Sequence, residues 1–214
     1  PVIYVSVGGA AGSAGGSDFF RVVAAAFETS RFQVVISTGG SLPIDTIGHI
    51  PDNILVEKWV PGAAMLDRSD LAVFHGGYTW VEVLKRGLPS VVIPFHSEQE
   101  SYGRRLEAAG AAVVVPYSSA GWQSRPVRWA GQDLSYLYRS QADLSPSTLR
   151  QAVERALDYP AYRRAARVLQ KRLDEVGGAV RAVQLIEETA RTFAGNNVGA
   201  PAPHSWQRFW QGLW

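Results

Sequence analysis

The sequence predicts an α/β fold, built on a parallel sheet of about six strands flanked by helices. Short apolar runs of strand length alternate along the chain with longer amphipathic stretches that suit helices. Several of these apolar runs end in glycine or proline, as strands do where they enter a turn. Residues 71–94 also show the order strand, glycine turn, helix, strand, which predicts a right-handed βαβ unit.

Composition places the chain among globular proteins and excludes several functions. The 214 residues are 46% hydrophobic and 19% charged, which is enough to build a core. A net charge of +2 without a polybasic run predicts no nucleic-acid partner. The lack of cysteine fits a reducing compartment, so we expect a cytoplasmic protein, and no apolar run approaches the ~20 residues of a membrane span.

The first half of the chain supplies three predicted strands. Residues 2–7 form the first strand and run into a glycine-rich loop, which ends where a helix begins near Asp18. That loop either cradles a diphosphate or is a lid or surface loop. Strand two, residues 32–37, ends at Ser37, which is either a ligand contact or a polar strand cap. Strand three covers residues 54–56.

Trp59 and Val60 follow the third strand. A tryptophan beyond a strand end offers a flat face on which a nucleotide base can stack, and a lone tryptophan in the core is the alternative. A short helix, predicted over residues 63–68, then leads into the central strand.

The central βαβ unit predicts a site for a phosphorylated ligand. The buried strand of residues 71–74 ends at His75-Gly76-Gly77, and Thr79 and Glu82 stand in the spacing of a capping box at a helix start. Glycines let the backbone approach a ligand, and the free amides of a helix N-terminus face it. His75 can donate a hydrogen bond to a phosphate there; a structural histidine is the alternative.

The second half of the chain adds helices and one unusual segment. The next buried strand, residues 91–93, stops at Pro94 and is followed by a helix over 98–109 and a sixth strand over 112–115. Residues 116–145 are rich in aromatic residues and weakly periodic, and they form either a loop over the ligand or an acceptor-side element. Further helices are predicted at 146–158, 160–174 and 178–194.

Several ordered motifs resemble one family. The pattern H-G-G-x-T-x-x-E at residues 75–82, followed by G-L-P-x-V-x-x-P and Glu98-Gln99, resembles the nucleotide-sugar signature of GT-B glycosyltransferases. In particular, the signature resembles that of the UDP-glycosyltransferases and their bacterial natural-product and glycolipid relatives. The segment IPDNILVEKWVPGAAML is similar to another part of that family, and the resemblance covers residues 2–115 and 177–190. It implies a Rossmann-like domain that forms one half of a GT-B fold.

The resemblance also implies roles for individual residues. Trp59 would stack on the base, the backbone of Val60 would read the base edge, and Glu82 would bind the ribose hydroxyls. The Glu98-Gln99 pair would bind hydroxyls of the transferred sugar. The remaining residues would lie near the diphosphate or ribose: Gly8, Gly9, Ser37, His75, Gly76, Gly77 and Thr79. His75 would stabilise the leaving diphosphate, which makes it the one catalytic residue expected in this chain.

The expected protein is therefore the donor-binding part of a two-domain enzyme. Residues 1–194 would bind a UDP- or dTDP-sugar without a metal or other cofactor, and UDP is favoured. Residues 195–214 would be a linker and an aromatic amphipathic tail that packs on an amino-terminal acceptor domain, located in the same enzyme or on a separate chain. Because the chain enters a strand directly after Pro1, we expect an excised domain. The general base would lie in the other domain, so the isolated half would bind donor without turnover.

Three other functions stay open from the sequence. A UDP-GlcNAc 2-epimerase shares the fold and the glycine turn, although the Trp-x-Pro and Glu-Gln pairs fit it less well. A stand-alone donor-binding subunit of a two-chain GlcNAc transferase would bind a membrane partner chain. A non-catalytic nucleotide-binding module is the third. Neither the sugar nor the acceptor follows from the sequence, beyond an acceptor that is small and hydrophobic or lipid-like.

Overall fold

A computed structural model of the chain describes residues 1–40, 42–116, 121–129, 131–138 and 143–195. The strands of these residues are β1 (Val2–Ser6), β2 (Gln33–Ser37), β3 (Ile54–Glu57), β4 (Leu71–Phe74), β5 (Ser90–Val92), β6 (Ala112–Val114), β7 (Gln123–Trp129) and β8 (Gln132–Tyr138). The helices are α1 (Gly8–Phe27), α2 (Gly62–Leu66), α3 (Thr79–Leu84), α4 (Ser97–Ala108), α5 (Pro146–Asp158), α6 (Pro160–Glu175) and α7 (Gly178–Gly195).

Strands β1 to β6 form one parallel sheet in the order β3-β2-β1-β4-β5-β6, which confirms the predicted fold class. The chain begins in the middle of the sheet, builds outward through β2 and β3, and then returns to β4 on the other side of β1. The strand order therefore reverses between β1 and β4. In open α/β sheets such a reversal leaves a crevice at the carboxyl ends of the strands, where ligands bind.

Helices cover both faces of the sheet, and each face has its own apolar core. Successive residues of β1 alternate between the two: Ile3 and Val5 pack with the cluster beneath α1 and α5, whereas Tyr4 packs with the cluster beneath α2, α3 and α4. Ser145 caps α5, since its Oγ accepts a hydrogen bond of 3.1 Å from the Thr148 amide, as the sequence predicts.

The prediction of a glycine-rich loop after β1 is wrong. Helix α1 begins at Gly8 rather than near Asp18, and a non-helical residue, Gly16 with φ of 58°, divides it into two helical stretches. Residues 8–15 hold four glycines and three alanines, so intrinsic propensity does not account for the helix, whereas Gly16 adopts the left-handed conformation of the break at little cost. The first turn of a helix, rather than an extended loop, therefore follows the end of β1.

The capping box predicted at Thr79 and Glu82 is also wrong. Thr79 is the first residue of α3, so the residue in the N-cap position is Tyr78, and no side chain caps this helix. A Glu82 carboxylate one residue too far along the helix cannot reach back to the N-cap amide. Helix α3 is only six residues long, so the dipole at its N-terminus is small.

The segment predicted as a loop or acceptor-side element contains a β-hairpin. Strands β7 and β8 pair antiparallel from Gln123↔Tyr138 to Trp129↔Gln132 and form a separate two-stranded sheet. Helix α7 is exposed along nearly all of its length, including Val180 and Ile186, which are 70% and 68% exposed. The predicted aromatic tail, residues 196–214, lies outside the described residues.

Candidate functional site

A cleft of about 360 Å³ lies at the switch point of the sheet, bounded by the carboxyl ends of β1 and β2 and by the starts of α2 and α3. Its volume is at the lower end of the range for small-molecule sites. The lining residues come from four different segments of the chain: Tyr4, Ser6, Gly8, Ser37, Gly39, Trp59, Val60, Gly62, Thr79 and Glu82. Six of these are among the residues predicted from the sequence: Gly8, Ser37, Trp59, Val60, Thr79 and Glu82.

Trp59 presents its indole to solvent at this cleft. The side chain is 71% exposed and lies outside both apolar clusters, so the alternative of a core tryptophan is excluded. When a flat ring stacks on such an exposed tryptophan, the burial of its apolar surface contributes favourable free energy. Val60 follows it in the cleft wall and packs its side chain against the cluster on the α2–α3 face.

Glu82 lies in the cleft wall rather than at a helix cap. An ideal Cβ built on Gly62 would lie 3.8 Å from Glu82 Oε2 and 3.5 Å from the Tyr4 hydroxyl, so both polar groups flank the first residue of α2. Glu82 does not cap α3, so helix capping does not explain why a glutamate stands at this position. A carboxylate here can accept hydrogen bonds from a ligand in the cleft.

His75 follows β4 and folds back over the glycine turn. Its ring lies beside Gly8, where an ideal Cβ would be 3.2 Å from Cε1, and beside Gly77, where one would be 2.9 Å from the same atom. A side chain at Gly77 would therefore displace the imidazole. The ring thus lies between the glycine turn and the first residue of α1, next to the cleft that Gly8 lines.

The surroundings of His75 keep its imidazole neutral near pH 7. Burial lowers the pKa of His75 from 6.5 to about 4, the Ser6 carbonyl partly offsets this, and the nearby His96 lowers it further. Burial likewise lowers the pKa of His96, which the charge of Glu98 partly offsets. A neutral imidazole carries no charge and has one N–H donor and one acceptor nitrogen.

Gly76 and Gln99 join the glycine turn to the start of α4. Gly76 has φ of +92°, and an ideal Cβ on it would be 2.5 Å from the Gln99 carbonyl oxygen. The Gln99 side chain is buried, and its Oε1 accepts hydrogen bonds from the amides of Phe95 (2.9 Å) and His96 (3.2 Å). Gln99 therefore has a structural role, and its predicted contact with a sugar hydroxyl has to come from the amide nitrogen.

The other predicted residues divide between the cleft and its surroundings. Ser37 is buried at the end of β2 and lines the cleft, as Thr79 does at the start of α3. Glu98 is exposed at the start of α4 and is not part of the lining. The backbone of Gly9 belongs to the first turn of α1.

Sequence reasoning missed Tyr4, Ser6, Gly39 and Gly62. The first two were detectable, because a tyrosine and a serine two residues apart in an otherwise apolar strand must share one face of the sheet. That face is the one that α2 and α3 cover, so a polar pair on it indicates a gap in the apolar packing. Gly39 stands in the turn after β2 and Gly62 begins α2, and the sequence does not determine the course of the chain at either position.

Within the ranges that the structure describes, no group of three or more histidine, aspartate and glutamate side chains is placed to hold a metal ion. In the same ranges, none of the helices is both long enough and apolar enough to cross a membrane.

Known proteins with related sequences and folds are glycosyltransferases. Residues 32–126 match the family described as erythromycin biosynthesis protein CIII-like, C-terminal domain. The NDP-glycosyltransferase YjiC of Bacillus subtilis is 27% identical over 188 residues, which cover 87% of this chain and 41% of the relative. Demethyllactenocin mycarosyltransferase of Streptomyces fradiae is 34% identical over 107 residues, or 50% of this chain and 23% of the relative.

Solved structures agree with the sequence relatives. The calicheamicin glycosyltransferase CalG4 superimposes with a TM-score of 0.70 at 26% identity, over 90% of this chain and 44% of that protein. The spinosyn rhamnosyltransferase SpnG complexed with thymidine diphosphate shares the fold, with a TM-score of 0.63 at 22% identity over 86% of this chain and 45% of its own.

Together, the parallel sheet and these matches define the class: the chain is a homologue of glycosyltransferases. Its fold matches that of one half of solved GT-B glycosyltransferases. The chain spans about two fifths of the length of the curated relative YjiC.

Proposed function

We propose that residues 1–194 bind a nucleoside diphosphate sugar in the cleft and form the donor half of a glycosyltransferase. The observation that carries this proposal is that Trp59, Glu82 and Gly8 line one cleft at the switch point of the sheet. These three residues offer an aromatic platform, a hydrogen-bond acceptor and a closely approachable backbone. A nucleotide needs each of these for its base, its ribose and its phosphates.

The base would stack on Trp59. The indole is exposed and has the flat apolar surface that stacking requires, and comparable base–aromatic contacts contribute roughly 1–3 kcal/mol. Val60 lies next to it in the lining, so its backbone groups are available to the base edge. The ribose would then lie against Glu82, whose carboxylate can accept hydrogen bonds from its hydroxyls.

The diphosphate would lie at the other end of the cleft, near Gly8 and His75. The lack of a side chain at Gly8 leaves room for the His75 ring, so the ring adjoins the Gly8 backbone that lines the cleft. Since α3 is only six residues long, we assign the phosphate contact to His75 and the backbone of residues 8 and 9 rather than to the dipole of that helix.

The reaction breaks the bond between the anomeric carbon and the oxygen of the diphosphate, which keeps the bonding electrons. The acceptor oxygen forms the new bond to the anomeric carbon, and its proton passes to a general base. His75 would stabilise the negative charge that grows on the diphosphate by a hydrogen bond. We place the general base in the acceptor-binding domain, so this chain alone would bind donor without transfer.

The names of the relatives support a glycosyltransferase over an isomerase. YjiC is an NDP-glycosyltransferase, and SpnG was crystallised with thymidine diphosphate. The names of several relatives contain demethyllactenocin, 3-alpha-mycarosylerythronolide B and calicheamicin, and we propose that the acceptor of this enzyme is small and hydrophobic or lipid-like. We extend the proposal to residues 195–214 as a linker and tail that pack on the acceptor-binding domain.

Calorimetric titration of this chain with UDP, dTDP and UMP tests the donor site. We expect a diphosphate to bind at least about tenfold more tightly than UMP, because the second phosphate gains the contacts near Gly8 and His75. Trp59→Ala should weaken all three nucleotides together, since it removes the base platform. His75→Gln should weaken UDP and dTDP and leave UMP nearly unchanged.

His49→Gln provides the matched control for His75→Gln. The His49 side chain is 76% exposed and lies beside Glu28, at the end of α1 remote from the cleft. Its substitution should leave every affinity unchanged. Absence of binding for all three nucleotides, or equal affinity for UDP and UMP, would contradict the proposed site.

A further inference from the structure

Tyr4 is a buried polar residue that the proposed donor site leaves without a role. Its side chain is only 4% exposed, yet it lines the cleft. Among the residues that the structure describes, none forms a hydrogen bond with the Tyr4 hydroxyl. The hydroxyl is not one of the buried polar atoms that lack a partner, so it opens onto the cleft, where water hydrates it until a ligand binds. The ligand that fills the cleft is therefore the natural partner for this hydroxyl.

The Tyr4 hydroxyl and the Glu82 carboxylate converge on one place in the cleft. Both lie within ordinary contact distance of the same point, an ideal Cβ on Gly62, at 3.5 Å and 3.8 Å. The two side chains come from different elements, β1 and α3, so this convergence is a property of the tertiary fold. Gly8 lies four residues beyond Tyr4, past the carboxyl end of β1, which separates this polar pair from the phosphate end of the cleft.

The chemistry of the pair suits a vicinal diol. An ionised carboxylate only accepts hydrogen bonds, whereas a phenol can donate one and accept another. The two hydroxyls of a ribose can therefore satisfy both groups at once, with one hydroxyl donating to Glu82 and the other bonding to Tyr4. A 2′-deoxyribose offers one hydroxyl to the same two groups, so one of them stays unpaired.

We propose that Tyr4 is a specificity-determining residue that, together with Glu82, makes the cleft select ribonucleoside diphosphates over 2′-deoxyribonucleoside diphosphates. This inference rests on the proposed function, since it requires a nucleotide in the cleft. It concerns a hydroxyl that opens onto the cleft and that a bound ligand covers, so a ligand without a matching group leaves this hydroxyl unpaired in the complex. It also makes UDP a better ligand than dTDP for a reason separate from the base.

Titration with UDP, 2′-deoxy-UDP and dTDP tests the inference. The first two differ only in the 2′-hydroxyl, and the last two only in the methyl group of the base, so the sugar and base effects separate. We expect the unaltered chain to bind UDP at least about tenfold more tightly than 2′-deoxy-UDP, as the loss of one buried hydrogen bond implies. The affinities for 2′-deoxy-UDP and dTDP should lie within a few-fold of each other.

Tyr4→Phe removes only the hydroxyl. In this variant the affinity for UDP should fall while the affinity for 2′-deoxy-UDP stays the same or rises, so the preference for the ribonucleotide shrinks toward unity. Tyr162→Phe is the matched control: Tyr162 packs against the core on the opposite face of the sheet, and its substitution should leave the preference intact. Because the Tyr4 hydroxyl has no protein partner, the melting temperature of Tyr4→Phe should match that of the unaltered chain.

The outcomes are distinct. Equal affinity of the unaltered chain for UDP and 2′-deoxy-UDP overturns the inference while leaving the proposed function standing. A preference for UDP that Tyr4→Phe does not reduce overturns the role of Tyr4. If none of the three nucleotides binds, both the proposed function and the inference fail.

Discussion

His75 is held in the neutral form by the fold. The ring is largely buried between two glycine positions, and burial lowers its pKa from 6.5 to about 4. The unfolded chain leaves the same side chain in water, where its pKa is ordinary. Between these two values the unfolded state therefore binds a proton that the folded state does not, and folding stability depends on pH.

We predict that the chain loses stability as the pH falls from about 6.5 to about 4. The contribution of His75 is fully present above pH 6.5, declines through this window and changes no further below pH 4. At about 1.4 kcal/mol per pH unit, the loss over this window is at most about 3.5 kcal/mol. Urea unfolding of the unaltered chain and of His75→Gln at several pH values measures it, since the variant lacks this contribution.

The difference between the two proteins is the informative quantity, because carboxylates also titrate at low pH. His49→Gln removes an exposed histidine and should retain the pH dependence of the unaltered chain. Parallel curves for the unaltered chain and His75→Gln across this window would contradict the burial argument.

Gly76 is required for two independent reasons. Its φ of +92° disfavours any residue with a Cβ, and that Cβ would lie 2.5 Å from the Gln99 carbonyl oxygen, which is backbone. We predict that Gly76→Ala lowers the free energy of unfolding by about 2 kcal/mol or more, measured by urea titration. Gly121→Ala is the control, since nothing lies within 4 Å of a Cβ there and its effect should be within about 0.5 kcal/mol.

At the scale of single residues, the sequence predicted which residues line the cleft better than it predicted the hydrogen bonds and packing around them. Trp59, Glu82 and Gly8 were found because their residue types and motif positions indicate ligand contacts, and all three line the cleft. The structural role of Gln99 was missed, because its two hydrogen bonds depend on how the chain turns after β5. Tyr4 was missed because its use depends on which face of β1 the later helices leave open.

At the scale of elements, strands were predicted closely and helix starts less so. The predicted bounds of β4 and α5 are those observed, because a buried apolar run or a Ser-Pro cap defines each. The glycine-rich loop and the capping box were wrong for one reason: each rested on a local pattern that fits two conformations. Residues 8–15 are helical despite four glycines, and α3 begins one residue too early for Thr79 to be its N-cap.

The hairpin β7–β8 is an addition to the sheet rather than part of its support. None of its described residues belongs to either apolar cluster, and Leu134 and Leu137 are 46% and 41% exposed. We predict that replacing residues 117–142 with a short glycine-serine linker changes the free energy of unfolding by less than about 1 kcal/mol, since an isolated hairpin contributes little stability of its own. Thermal and urea unfolding of the shortened chain measure this.

Leu149→Ala is the comparison, because it alters a core residue of α5, the helix that follows the hairpin in the chain. Leu149 is fully buried in α5, so its truncation should cost about 2–5 kcal/mol. A loss of that size in the shortened chain would show that the hairpin packs on the body of the domain.

At the scale of the whole molecule, the sheet order explains both the fold and the place of the site. The sequence predicts a parallel sheet because its buried strands are continuous apolar runs, and the observed sheet confirms it. The position of the cleft follows from the reversal between β1 and β4, which requires the strand order and hence the tertiary structure. Periodicity alone cannot supply that order, because it does not specify which strands are neighbours.

The two apolar clusters are complete without α7. Their last members are Leu169 and Leu173 of α6, whereas Val183 and Ile186 of α7 are more than half exposed. We predict that a chain ending after Gly177 unfolds cooperatively, with a free energy within about 1 kcal/mol of the full chain. Because an exposed helix uncovers little surface when it melts, the dependence on urea should also change little.

The matched comparison is a chain ending after Tyr159, which also removes α6. Ala166 is fully buried and Leu169 and Leu173 pack on the second cluster, so this deletion should expose the face of the sheet that α6 covers and prevent stable folding. Circular dichroism and urea titration of both shortened chains separate the two cases. A large loss of stability on removing residues 178–214 alone would mean that this segment packs on the body of the domain. Unchanged stability together with unchanged UDP affinity would assign the segment to contacts outside the donor-binding unit.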